Sequence, residues 1–288
     1  MLGINTNAPS LGAQMKLSQS AGSLETSIAR LSSGLRVNSS KDDAAGLAIA
    51  ERMTSQIRGY DVAARNANDG ISLLQVADGA LGKITDNLQR MRELGVQAKN
   101  GTLNDTDRLN LNREFTELAN EVGRVATGTT FNDNNIFSAA QKSVELQIGS
   151  GNDATDTLNV NLTDDGLAGG NDLQTTLGGA TQAAIVTAFG GVDTAANAET
   201  AIDTIDTAID DITNLRATVG AGLSRLEQVV GSLETNSANL SSARGRIMDA
   251  DFAKETANLT RSQILQQAGT AMLAQANQLP NNVLSLLR

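Results

Sequence analysis

Between residues 202 and 247 the chain carries a heptad repeat without a miss: Ile205, Ile212, Val219, Leu226, Leu233, Leu240 and Ile247 fall seven apart. Apolar side chains at that interval form one stripe along an α-helix, and the stripe is buried only against another helix. Ile202, Ile209, Leu223 and Val230 fill a second stripe, which Arg216, Ser237 and Arg244 interrupt. The pattern predicts a helix of about 50 residues, and at ~1.5 Å per residue its partner must be of comparable length.

Such a partner lies upstream, from residue 44 to about 99. Met53, Ile57, Tyr60, Ala64, Ala67, Ile71 and Leu74 alternate spacings of four and three, and Leu81, Ile84, Leu88 and Met91 resume the pattern after a slip near Asp78-Gly79. Ser40, Asp42 and Asp43 are candidate caps at its start. Asn100-Gly101-Thr102 ends it, and Asp105 or Thr106 is the expected cap of a third helix striped by Leu111, Phe115, Leu118, Val122 and Val125. A connection this short makes the second and third helices antiparallel neighbours.

The two ends carry weaker stripes. Leu17, Ala21, Leu24, Ile28, Leu31 and Leu35 form one; Met272, Ala276, Leu279, Val283 and Leu286 form the other, with Leu265 upstream on the same helix and Pro280 expected to kink it. Ala, Ser, Gln and Asn surround them, so each helix alone is marginal in water. Residues 1–35 and 255–288 are therefore expected to order only when neighbouring subunits complete their packing.

Residues 127–194 change character. Val144, Leu146 and Ile148 alternate, as do Leu158, Val160 and Leu162, with turn formers between them, which predicts a β-hairpin. Residues 164–194, rich in Gly, Thr and Ala, read as loop. The expected fold is mostly α: a long antiparallel helical bundle or coiled coil formed by the N- and C-terminal segments, with a small β-hairpin region at the tip. In domain terms, 1–43 plus 251–288 is a terminal coiled coil, 44–165 plus 195–250 a helical bundle with the hairpin, and 166–194 a short variable surface segment.

Composition closes off most chemistry. The chain has no His, Cys or Trp, five Phe and one Tyr. No His or Cys means no ordinary zinc, copper or haem ligand set, no thiol nucleophile and no imidazole base. The acidic pairs Asp42-Asp43, Asp164-Asp165 and Asp210-Asp211 are read as caps and solvated positions, because adjacent helical residues do not face the same way. Gly149-Ser150-Gly151-Asn152-Asp153 is read as a hairpin turn, since calcium-binding turns of similar composition come in stacked repeats. Arg90, Arg92 and Lys99 are read as solvated-face and helix-end residues. No cofactor is expected. A net charge of -10 argues against nucleic acid and against anionic membranes as partners. Met1-Leu2-Gly3-Ile4-Asn5-Thr6 has neither the charge nor the apolar run of a signal peptide, so the general secretory route is not expected.

One family accounts for these features together. Leu31-Ser32-Ser33-Gly34-Leu35-Arg36-Val37-Asn38-Ser39-Ser40-Lys41-Asp42-Asp43-Ala44-Ala45-Gly46-Leu47-Ala48-Ile49-Ala50 resembles the N-terminal signature of bacterial flagellin. Ser262-Gln263-Ile264-Leu265-Gln266-Gln267-Ala268-Gly269-Thr270, Leu273-Ala274-Gln275-Ala276-Asn277-Gln278 and the ending Asn282-Val283-Leu284-Ser285-Leu286-Leu287-Arg288 are similar to its C-terminal signature. The resemblance covers roughly 1–135 and 195–288. It implies a structural subunit that is not an enzyme. Such subunits are exported unfolded through the flagellar type III apparatus and polymerise with copies of themselves into the extracellular filament that serves as a propeller. It implies further partners: an export chaperone, the filament cap and junction proteins. Host partners are a Toll-like receptor, at positions matching Gln89, Arg90, Leu94, Gln97 and Glu114, and inflammasome receptors that share the 283–287 tail with the chaperone. Gly95 stands where many flagellins have Ala. The variable region is short, so a separate outer domain is not expected. The zinc protease that some members carry there is excluded by the lack of His. A hook–filament junction protein is the alternative reading, and a secreted coiled-coil adhesin a more distant one.

Overall fold

The computed structural model describes residues 7–137, 143–161 and 182–285; for Asn161 and residues 279–285 only the backbone is described. Six helices carry the fold: α1 (Ala8–Ser33), α2 (Ala44–Ala98), α3 (Asp105–Gly128), α4 (Gln182–Phe189), α5 (Ala195–Met248) and α6 (Phe252–Ser285). Two antiparallel hairpins lie between α3 and α4 in sequence: β1 (Thr130–Phe131) with β2 (Asn134–Asn135), and β3 (Ser143–Gln147) with β4 (Thr157–Asn161). The mostly α architecture with a small β-hairpin is as the heptads and the alternation predict.

The chain forms two compact units, Met1–Ile57 with Ala238–Arg288, and Arg58–Ser237. The divisions fall inside α2 and α5, whereas the sequence reading placed its boundaries at the loops on either side of residues 43 and 251.

The second unit has one apolar core. On α2 the buried face runs Ala67, Leu74, Ala77, Leu81, Ile84, Leu88, Met91, Leu94 and Ala98. The slip expected at Asp78-Gly79 does not occur, because Ala77 continues the stripe. α3 contributes Phe115, Ala119, Val122 and Ala126; α5 contributes Ile205, Ile212, Val219 and Leu226 from the strict heptad. The second stripe of α5 is Ala201, Ala208 and Leu215 in its N-terminal half, with Ile202 and Ile209 flanking it half-buried. Small Ala side chains at these positions let helices approach closely. Of the interrupting polar residues, Arg216 places Nε 2.9 Å from Asp78, and the Ser237 hydroxyl donates to Asp61 at 3.3 Å.

Local signals set the ends. Asp43 Oδ1 accepts from the Gly46 N–H at 2.8 Å and caps α2, as expected. On α3 the cap is Asn104, whose Oδ1 accepts from Asp107 N–H at 2.8 Å, rather than Asp105 or Thr106. The β1–β2 turn, which the hydrophobic pattern does not reveal, runs through Asn132 (φ 50°) and Asp133 (φ 63°). These residue types tolerate the left-handed region, and two such residues in succession make the tight hairpin turn.

The hairpin that the alternation predicts forms as β3–β4, with Val144 facing Val160 and Leu146 facing Leu158. Its position differs from the expected tip. The Asn66 amide donates to the Gln147 carbonyl at 3.0 Å, and Gly70 and Gly222 leave room for Leu146 and Val160. The hairpin therefore lies along the flanks of α2 and α5. A second correction concerns 182–194. Residues 182–189 are a helix, not loop, because Ile185 and Phe189 are buried in the core. Gln182 Nε2 holds this helix to α3 by donating to the Asn120 carbonyl at 3.0 Å. Residues 166–181 of the expected variable segment and Leu162 of the second alternating run lie outside the described residues.

Candidate functional site

The first unit is built differently. α1 and α6 pack side by side, and the contact face of α1 is Ser10, Ala13, Leu17, Ser20, Leu24, Ser27 and Leu31. Opposite it stand Glu255, Leu259, Ser262, Gln266, Gly269, Leu273 and Ala276. Both series step by three and four, so the packing period is the expected one, but the phase is not. Of the expected α1 stripe, Leu17, Leu24, Leu31 and Leu35 are half-buried, whereas Ala21 and Ile28 point away from α6 and are exposed. Ser20 and Ser27 take their places in the contact. On α6, Leu265 and Met272 are exposed, and Ser262 and Gly269 stand in the contact instead. The side chains of Leu279 and Val283 and all of Leu286 lie outside the description. The α6 backbone stays helical through Pro280 to Ser285.

Small size decides this phase. A Cβ on Gly269 would stand 3.2 Å from Leu17 Cδ1, so the glycine is what admits the leucine. Polar bonds do part of what apolar burial does elsewhere. The Asn7 amide donates to the Ala276 carbonyl at 2.9 Å, and Ser10 Oγ donates to Asn277 Oδ1 at 2.8 Å. Near the other end, Ser27 Oγ donates to Glu255 Oε2 at 3.2 Å and Arg30 Nη1 to Glu255 Oε1 at 3.1 Å. Arg30 also reaches Asp42 at 3.9 Å, linking α1, α6 and the segment before α2. Burial pushes the Glu255 carboxyl up, but the hydrogen bonds from Arg30, Asn258 and Ser27, with the Arg30 charge, outweigh it and hold the group below the usual carboxylate range. Asp42 is lowered too, by bonds from the Ser39 hydroxyl and from the Asn38 and Ser39 N–H groups.

At the joint of the two helices, Gly34 takes φ 72° and ends α1. The Arg36 N–H donates to the Met248 carbonyl at 2.6 Å, and the Ala250 N–H to the Gly34 carbonyl at 2.9 Å. The two linking segments are thus held to each other by backbone bonds.

Large apolar side chains also stand outward among polar ones. Met15 is 68% exposed, Met272 65% and Ile264 60%, and Leu11, Ile28, Phe252 and Leu265 are each more than half exposed. Between the helices runs an open groove of about 720 Å³, lined by Ala13, Lys16, Leu17, Leu265, Gly269 and Met272 among others. Large exposed apolar surface of this extent marks an interaction face. Chemically the arrangement can associate.

The positions matched to receptor recognition lie on the second unit. Arg90 Nε and Nη2 contact Glu114 Oε1 at 3.0 and 2.8 Å, and Nη1 contacts Glu93 Oε2 at 2.9 Å. Gln89 and Gln97 are exposed, and so is Glu114. Leu94 is not: it is 1% exposed and belongs to the core. The structure therefore joins Arg90 to Glu114 at the surface, leaves Gln89 and Gln97 exposed and buries Leu94. Sequence reasoning could have found this, since Leu94 falls three residues after Met91 on the buried stripe.

Residues 4–142 match the model of the bacterial flagellin N-terminal helical region, and residues 202–287 that of the C-terminal helical region. The flagellin of Halalkalibacterium halodurans is 42% identical over 287 residues, and that of Bacillus subtilis 39% identical over 308, each alignment covering 99% of both chains. A putative flagellar hook-associated protein of Vibrio parahaemolyticus shares the fold, with a TM-score of 0.54 at 17% identity over 72% of this chain and all of that one. The chain belongs to the bacterial flagellin family, a family of structural proteins. It is a subunit of the extracellular flagellar filament, which drives motility. Among the described residues no helix is long and apolar enough to cross a membrane.

Proposed function

We propose that the subunit polymerises through the outward faces of α1 and α6, while the second unit keeps each subunit intact as it is added. The observation that carries this is the division of the terminal helices: serine, glycine and glutamate share the contact between them with half-buried leucines, and Met15, Ile28, Leu265 and Met272 face outward. Burying that surface against copies of the same chain supplies the apolar contact the pair lacks by itself, at roughly 25 cal/mol per Å² removed from water. The role is purely structural, which accords with a chain that has no His and no Cys.

The finer assignments follow the resemblance. Subunits leave the cell unfolded through the flagellar type III apparatus and add beneath the filament cap, with junction proteins at the filament base. The 283–287 tail is the segment an export chaperone and inflammasome receptors hold. Gln89, Arg90, Gln97 and Glu114 present a polar surface to a Toll-like receptor, with Leu94 supporting it from inside. Seeded growth tests the main reading: purified monomer added to sheared filament fragments should elongate them. A junction protein would bind the fragment ends and stop, and that result would overturn the proposal.

A further inference from the structure

The chain contains one Asn-Gly dipeptide, Asn100-Gly101, and it lies in the exposed connection between α2 and α3. Glycine after asparagine leaves the following nitrogen unshielded. A Cβ on Gly101 would meet nothing within 4 Å, so the space around it is open. Its N–H donates no hydrogen bond among the described contacts, whereas the neighbouring N–H groups of Lys99 and Asn100 are held by Gly95 and Gln97.

The surrounding donors point at the atoms that must take charge. Thr102 N–H donates to Asn100 Oδ1 at 3.1 Å, which folds the side-chain amide back over the Gly101 backbone. The Asn100 carbonyl accepts from Arg108 Nη2 at 3.2 Å and from Leu103 N–H at 3.3 Å. That carbonyl belongs to the same peptide group as the Gly101 nitrogen, so a guanidinium on it favours loss of the Gly101 N–H proton. Donors preset on a developing oxyanion stabilise it more than mobile water does.

We propose that Asn100 is a spontaneous modification site, at which the Gly101 nitrogen closes on Asn100 Cγ. A proton passes from the Gly101 N–H to solvent base. The nitrogen forms a bond to Cγ, the charge passes onto Oδ1, and the Cγ–Nδ2 bond breaks as the side-chain nitrogen is protonated and leaves as ammonia. Water then opens the ring at either carbonyl, giving aspartate or isoaspartate. The sum is asparagine plus water going to acid plus ammonia, with no redox change. The product adds a negative charge beside Lys99 and Arg108, and in the isoaspartate form an extra backbone carbon in the turn. Asn38-Ser39 is the internal contrast. There the Ser39 N–H is held by Asp42 Oδ2 at 3.0 Å and the Asn38 amide donates to Ser33 Oγ at 2.9 Å, so neither partner is free.

The test uses the full chain, folded, incubated at mildly alkaline pH and sampled over time. Peptide masses report the amide-to-acid change, and enzymatic methylation reports isoaspartate. The Asn100 peptide should convert at least about tenfold faster than the Asn38 peptide, and Gly101→Ala should slow it by about the same factor, since a Cβ shields the nitrogen. Arg108→Gln should slow Asn100 and leave Asn38 unchanged, with Arg108→Lys restoring part of the rate. Conversion at Asn100 no faster than at Asn38, or unaffected by Gly101→Ala, overturns the proposal; a rate unchanged in Arg108→Gln overturns the role given to the guanidinium.

Discussion

The α2–α3–α5 bundle and the α1–α6 pair use the same helical period for opposite ends. In the bundle, Leu81, Ile84, Leu88, Met91 and Phe115 turn inward and are fully buried. In the pair, the buried positions are Ser10, Ser27, Glu255, Ser262 and Ala276; the leucines of the contact are only half-buried, and Met15, Ile28, Leu265 and Met272 stay outside. Apolar burial scales with area removed from water, so the first arrangement is stable by itself and the second has most of its apolar surface still to bury. The difference teaches that a heptad stripe reports where apolar residues are, not which partner covers them.

The comparison breaks first where packing is densest. Phe115→Ala, inside the bundle, should lower unfolding stability by about 3–5 kcal/mol in a denaturant titration of the monomer. An effect below that of an ordinary surface change would mean that the bundle core is not what holds the subunit together. Gly269→Val tests the pair. Its side chain enters space held by Leu17, and overpacking of this kind costs about 1–3 kcal/mol. Hydrogen exchange should speed up in α1 and α6 and stay as it was in α3. Gly12, by contrast, has open space around it, and Gly12→Ala should protect α1 slightly, by about 1 kcal/mol or less.

A smaller effect is the acid response of the pair. Because the folded Glu255 carboxyl is held below its usual range, the stability it contributes is complete above the unfolded value of about 4.3 and is lost as pH falls through the lower folded value. Exchange protection in α1 and α6 should therefore be flat near neutrality and fall in acid, with a shallower fall in Glu255→Gln. An identical acid limb in that variant would remove Glu255 from the account and leave Asp42 and other carboxylates to explain it. The smallest expected change is at Arg90. It and Glu114 are about half exposed, so Arg90→Ala should leave the unfolding midpoint in the same titration nearly unchanged.

The sequence was most legible where apolar side chains do the packing. The α5 heptad, the α2 stripe and the β3–β4 hairpin could all be read because Leu, Ile and Val mark the buried face. It was least legible where small or polar residues do so. Ser20, Ser27 and Gly269 carry no hydrophobic signal, so the stripes on α1 and α6 were drawn toward Ile28, Leu265 and Met272, which are the outer face. The short helix α4 was hidden for a related reason: its two Ala-rich turns hold their form through tertiary contacts of Ile185 and Phe189, not through a periodic pattern. Leu94 was named with the receptor positions through the family resemblance, whereas its spacing from Met91 and Ala98 puts it on the buried stripe.

The most direct measurement is seeded elongation by a subunit carrying Leu265→Gln and Met272→Gln, two exposed positions at which glutamine keeps helix propensity. The account predicts a monomer of unchanged denaturant stability that adds to filament ends far more weakly, with a raised critical concentration. Elongation indistinguishable from the unaltered subunit would contradict the claim that the outward face of α1 and α6 is what neighbouring subunits complete.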